Sequence, residues 1–143
     1  MSRVYIAGPL FCDSERSYNI HLKQVLSSAG HEPVLPQENP VDMDPERMSD
    51  PVYRRDTSKR IFEADIAMIE SCDTLLINLD GRVPDEGACV ELGYAYARGK
   101  RCIGIKTDVR VAEFGGDNMM ISGILGDSLA HDEESLLELL END

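Results

Sequence analysis

The chain has 143 residues, with 27 acids against 14 bases and a net charge of −13. That length suits one domain with a real core, and the acidic balance argues against nucleic-acid duplexes and anionic membranes, which need clustered Lys and Arg. The four cysteines (Cys12, Cys72, Cys89, Cys102) form no CxxC pair, the three histidines show no zinc-ligand spacing to them, and no run of about 20 apolar residues offers a membrane helix.

In chain order, residues 3–7 read as a first strand ended by Gly8-Pro9. Residues 15–29 read as a helix, with Asp13 or Ser14 as cap and Gly30 as stop. A short strand at 32–35 ends at Pro36. Residues 36–50 hold three prolines and five acids and read as a long loop, a kind that in compact domains is usually functional or disordered. Asp50-Pro51 opens a long helix over 51–71, with proline at its first position.

The apolar run at 74–79 is the clearest strand, and a helix over 86–99 follows, capped by Asp85 and stopped near Gly99. A fourth strand is expected at 101–106, a loop at 107–118, a short helix at 119–126, a weak fifth strand near 127–131 and an acidic amphipathic helix at 133–140. Strands alternating with helices predict an α/β fold: a single-domain, doubly wound parallel sheet of about five strands, flavodoxin-like or Rossmann-like, with helices on both faces. Such sheets bind ligands beyond the carboxyl ends of their strands. The loops expected to meet there are 8–14, 36–50, 80–86 and 107–118. The opening MSRVYIAG runs into a strand rather than a signal peptide, so a reduced, cytoplasmic setting is expected, with Cys89 and Cys102 as buried free thiols.

Glu91 is the anomaly on the third helix. One turn away lie Gly87, Ala88, Tyr94 and Ala95, none able to neutralise a carboxylate. Asp65 repeats the pattern, between Ile61, Phe62, Met68 and Ile69. Glu63, by contrast, has Lys59 and Arg60 within a turn, as a solvated face should. Burying an acid without a purpose costs several kcal/mol or forces protonation. Asp65 could instead cap a buried backbone group or pair with a remote Arg. Asp85 suits an ordinary N-cap, yet it also ends the loop after the best strand and can face a ligand. Asp73 and Asp80 read as strand-end residues.

Three acids, Asp65, Asp85 and Glu91, are expected to converge; they offer a nucleophile and a proton carrier, the kit for cleaving glycosidic bonds. No GxSxG elbow, no GxxxxGK[ST] loop and no GxGxxG follows the first strand, which leaves few other chemistries. Tyr5 is either a core aromatic or a hydroxyl that orients a carboxylate. Asn118 either caps the short helix or bonds a ligand hydroxyl.

Five segments in order resemble the nucleoside 2-deoxyribosyltransferase family: YIAGPLF (5–11), LPQEN (35–39), FEADIAMIESCDTLLINLDG (62–81), PDEGACVELGYAYARGK (84–100) and NMMISG (118–123). The D-x-G-x-x-x-E-x-G core is the most specific. The resemblance implies Glu91 as the nucleophile that attacks the anomeric carbon of a 2′-deoxynucleoside. It implies Asp85 and Asp65 as acids that contact and protonate the departing base, and Tyr5 as the residue that positions the nucleophile. Gly8, Gln37, Asn118 and Met120 match substrate-contact positions, the last two lent by a neighbouring subunit. A homo-oligomer with shared sites is thereby implied, acting on deoxynucleosides and free nucleobases with no metal and no organic cofactor.

Two rivals stay open. A sister group hydrolyses 2′-deoxynucleoside 5′-monophosphates, using Ser and Arg near the first loop; here that loop reads GPLFCDSER, and Arg16 could reach a phosphate. A non-catalytic nucleotide-binding module is the other, and it would need no nucleophile.

Overall fold

The structure is a computed structural model that describes residues 1–112 and 114–142; Glu113, within the predicted 107–118 loop, lies outside the described residues. Five parallel strands form one sheet: β1 (Arg3–Ala7), β2 (Glu32–Val34), β3 (Thr74–Asn78), β4 (Arg101–Ile105) and β5 (Leu129–Ala130). Their spatial order is β2-β1-β3-β4-β5, which is the flavodoxin-like one of the two doubly wound arrangements that the alternating pattern left open. Every pairing is parallel, with Tyr5 opposite Leu75 and Leu75 opposite Cys102.

The apolar runs become strands because both faces of a parallel sheet are covered. All five β3 residues are buried. On one face Tyr5, Ala7, Leu75 and Ile77 pack against α2 (Pro51–Glu70), α3 (Glu86–Ala97) and α4 (Met119–Leu125). On the other, Val4, Ile6, Leu76 and Ile103 pack against α1 (Asp13–Ser28) and α5 (Glu133–Glu141). Gly104 sets the fit of α4 on β4: a Cβ there would lie 2.7 Å from a Leu125 methyl and 2.9 Å from a Leu129 methyl.

Helix boundaries follow local capping. The Asp50 carboxylate accepts from the Val52 and Tyr53 amides at 2.9 and 3.4 Å, with Pro51 behind it. Asp85 accepts from the Ala88 amide at 2.8 Å. The expected cap of α1, Asp13 or Ser14, gives way to Cys12. The cause is Glu15, whose Oε2 reaches back to the amides of Phe11 (2.7 Å) and Cys12 (3.1 Å) and so draws the helix start forward. Segment 36–50 is not a plain loop: Pro36 and Pro45 each open a 3-10 helix, Pro36–Glu38 and Pro45–Ser49. Arg47 stacks over the Tyr53 ring at 4.1 Å and holds the second of these to α2.

The four thiols are free. Cys72 and Cys102 are buried, but Cys89 is only half-buried, because its side of α3 faces a surface cavity rather than the sheet. No helix among the described residues is long and apolar enough to cross a membrane.

Candidate active site

The site forms where β1 and β3 end and α2 and α3 converge. Tyr5 is fully buried in β1, and its hydroxyl emerges between the helices to donate to Glu91 Oε1 at 2.9 Å. The small residues around Glu91 bring its helix close: Ala88 and Ala95 are buried against the sheet. Glu91 Oε2 has no hydrogen-bond partner among the described residues.

Asp65 approaches from α2. Its Oδ1 accepts from the Asn39 amide at 2.7 Å. Asp85 stands at the head of α3, where one oxygen caps the helix. A cavity of about 300 Å³ joins Gly8, Phe11, Asn39, Asp65, Asp85 and Glu91. Among the described residues, neither Lys nor Arg lines it. A larger apolar groove of about 610 Å³ runs from Asp65 and Glu91 along α2 and α3, past Phe62, Val90 and Tyr94.

Burial and clustered acids set the electrostatics. Desolvation pushes the Glu91 carboxyl up to about 7; the Tyr5 hydrogen bond opposes this, and the charges of Asp65 and Asp85 reinforce it. The Asp65 carboxyl is also raised by burial, with the Asn39 amide pulling the other way. The Tyr5 phenol is pushed far above its ordinary range, by burial first and then by Glu91, so it stays a donor. A carboxylate near neutrality beside a second raised acid can alternate between ionised and protonated forms at physiological pH.

Of the residues singled out from sequence, Glu91, Asp85, Asp65 and Gly8 share the small cavity, and Tyr5 touches it through Glu91. Gly8 has little room for a side chain: a Cβ would lie 3.0 Å from Asn78 Cβ. Gln37 does not line this cavity. Its amide is turned onto α1, accepting from Asn19 at 3.1 Å and donating to the Arg16 carbonyl at 3.5 Å. Asn118 and Met120 lie on the other flank of α3, lining a separate cavity of about 580 Å³ with Cys89 and Glu86. Arg16 is committed to the Leu10 carbonyl and Asp13. Asp73 and Asp80 brace backbone: Asp73 accepts from the Arg3 amide, Asp80 from the Thr107 and Asp108 amides.

Asn39 is the participant that sequence reasoning passed over. An Asn before a proline in a loop looks like an ordinary turn residue, and nothing local announces its bond to Asp65, 26 residues on. Among the described residues no group of three His, Cys, Asp or Glu side chains is arranged to hold a metal ion.

The sequence model described as nucleoside 2-deoxyribosyltransferase matches residues 4–138. The chain belongs to this family. An uncharacterised protein of Schizosaccharomyces pombe is 35% identical over 116 residues, which are 76% of this chain and 51% of that protein; the chain spans about half the length of this curated relative. Among solved structures, a conserved protein from Enterococcus faecalis V583 superposes with a TM-score of 0.79 at 28% identity, covering 99% of this chain and 98% of that one. A 2-deoxyribosyltransferase from Bacillus psychrosaccharolyticus gives 0.72 at 23%, over 99% and 91% of the two chains. A CMP N-glycosidase from Clostridium botulinum gives 0.58 at 20%, over 97% and 98%. These last two likenesses establish a common fold.

Proposed function

We propose that the protein transfers a 2-deoxyribosyl group between nucleobases through a covalent sugar ester on Glu91. One observation carries the reading: Tyr5 donates to one oxygen of a desolvated carboxylate that lines a cavity of about 300 Å³. Glu91 Oε2 attacks the anomeric carbon. The N-glycosidic bond breaks, its electron pair leaves with the base, and Asp65 or Asp85 delivers the proton that the base needs. A second base then attacks the same carbon from the opposite face, the ester bond breaks, and the carboxylate is regenerated. Two inversions retain the configuration at that carbon. The oxocarbenium-like states between are stabilised by the Glu91 carboxylate, whose attraction is strengthened by its partial desolvation.

The acceptor decides the outcome, since water in place of a base gives hydrolysis. A rival reading, cleavage of nucleoside 5′-monophosphates, draws on the fold shared with the CMP N-glycosidase. It fits this cavity less well. Among the described residues the lining carries three acids and no cation, and Arg16 is already paired. A dianionic phosphate would meet repulsion there.

A second copy of the chain completes the site in this reading. Asn118 and Met120 do not line their own chain's Glu91 cavity, and the adjacent Met119 and Met120 are 63% and 76% exposed. A neighbour would bring them to the cavity mouth in a closed, symmetric assembly. A reduced cytoplasmic setting fits the free thiols.

Incubation of the purified protein with deoxyinosine and adenine, followed by chromatography, should yield deoxyadenosine and hypoxanthine. Protein trapped with a 2-fluorinated sugar analogue should carry the adduct on Glu91. A label on another residue, or no exchange with any base pair, would overturn the reading.

A further inference from the structure

Asn39 ends the 3-10 helix Pro36–Glu38, its amide N–H bonded to the Pro36 carbonyl. From there its side chain bridges two elements. Nδ2 donates to the Ile61 carbonyl at 3.2 Å and to Asp65 Oδ1 at 2.7 Å, both on α2. Oδ1 accepts from the Val41 amide at 2.9 Å. Both amide protons and the carbonyl are therefore committed to protein, although the residue lines the small cavity. A side chain with its polar groups filled this way has one rotamer and little capacity to bind substrate itself.

Its effect falls on Asp65. With Oδ1 held, the rotation of that carboxylate is restricted, and Oδ2 is left without a hydrogen-bond partner among the described residues. The groups facing Asp65 from other elements are Glu91 on α3, Asp85 at the head of α3 and the Tyr5 phenol on β1. All are acids or weak acids. On its own helix Asp65 has Ile61, Ile66 and Ile69 around it in the apolar groove. Asn39 therefore supplies the hydrogen bond that favours the ionised form in a setting that otherwise disfavours it.

We propose that Asn39 is a positioning residue for the transfer reaction: it holds Asp65 with one oxygen aimed at the departing base and lets that oxygen release and recover a proton in each half-reaction. The inference rests on the proposed transfer activity. Proton return matters because the two half-reactions run in opposite senses. Asp65 gives a proton to the leaving base and takes one back from the entering base. An acid that grips its proton too tightly serves neither step.

The test compares two donors in wild type, Asn39→Leu, Asp65→Asn and the double variant. Deoxyinosine needs its base protonated on departure. 7-Methyl-2′-deoxyguanosine already carries a cationic base and does not. In single-turnover release of the base, which isolates the first half-reaction, Asn39→Leu is expected to slow deoxyinosine about 100-fold, to slow the methylated donor less than about 5-fold, and to add nothing once Asp65 is Asn. In ¹³C-detected titration of labelled aspartate, free of substrate, the Asp65 carboxyl should move upward in Asn39→Leu. Equal losses on both donors, an additive double variant, or an unmoved Asp65 titration would each overturn the proposal. Should Asn39→Leu fold poorly, the isosteric Asn39→Asp, which puts a carboxylate oxygen in place of the donor, is expected to show the same donor-dependent loss; a folded variant without that loss also counts against it. A wild-type protein that turns over neither donor would instead defeat the transfer reading itself.

Discussion

The Tyr5 hydroxyl and the Glu91 carboxylate meet across 2.9 Å, though 86 residues separate them in the chain. One is the second buried residue of the first strand and the other sits mid-helix, so the contact exists only once β1 and α3 are packed. Of the influences on Glu91, the Tyr5 hydrogen bond is the one that lowers its pKa, against burial and two neighbouring acids. Removing it must raise the Glu91 pKa further.

Tyr5→Phe tests this directly. The nucleophile must be ionised, so kcat/KM should rise with pH through an apparent value of about 7 in the wild type. In Tyr5→Phe that acid limb should move to higher pH, with a larger rate loss at pH 6 than at pH 8.5. Initial rates of base exchange across pH check it, and an unmoved limb would mean that Tyr5 serves only the core.

Glu91→Gln should abolish transfer while making the protein more stable at alkaline pH. The sign follows from proton linkage. A folded-state value of about 7, raised from 4.5, means that the native chain binds the proton more tightly than the unfolded one. Stability is full below about pH 4.5 and falls as pH rises through about 7, by roughly 3 kcal/mol at most. Gln carries no charge and escapes that loss. Urea unfolding at pH 5 and pH 8.5 should show the variant gaining on wild type mainly at the higher pH.

Much of this arrangement is legible in the chain. The β-α alternation gives the parallel sheet, though not the order of its strands, and Glu91 and Asp65 stand out because their one-turn neighbours are apolar or small. Asp50 and Asp85 announce helix starts by type and place. What escapes is long-range and polar. Glu15 overrides Asp13 and Ser14 at the start of α1 by folding back on two amides. Gln37 is claimed by Asn19, and Asn39 finds Asp65. Those partners are chosen by tertiary placement, which no periodicity encodes. Cys89 departs from its expected burial for a related reason: a Gly/Ala-rich helix packs closely on one side only, and its other side stays open.

Asp85 has two duties that one substitution can separate. Asn is as good an N-cap as Asp, so Asp85→Asn should keep the bond from the Ala88 amide and leave stability within about 0.5 kcal/mol. The loss of an ionisable oxygen should still slow transfer at least about 10-fold. Asp85→Ala should add a stability loss of about 1 kcal/mol. Wild-type rates in Asp85→Asn would reduce Asp85 to a cap. Melting curves and donor-panel rates read the two effects independently.

Lys106 and Asp117 form an ion pair with side chains 7% and 18% exposed. Lys106 follows β4, and its carbonyl lies 3.0 Å from His131 Nδ1. Asp117 immediately precedes Asn118, whose side chain caps α4 by accepting from the Met120 amide at 3.0 Å. The pair therefore pins the start of the segment that carries Asn118 and Met120. Lys106→Met strands a largely buried carboxylate and should cost about 3–5 kcal/mol, whereas Lys106→Met with Asp117→Leu should recover most of it. If the segment serves a neighbouring subunit, the single variant should also weaken assembly, read by light scattering as a concentration-dependent fall in mass. Mixing it with Glu91→Gln protein should then restore less activity than mixing Glu91→Gln with an Asn118→Ala chain. Asn118→Ala removes one contact, whereas the broken ion pair displaces the whole segment and so weakens the association that the mixture depends on.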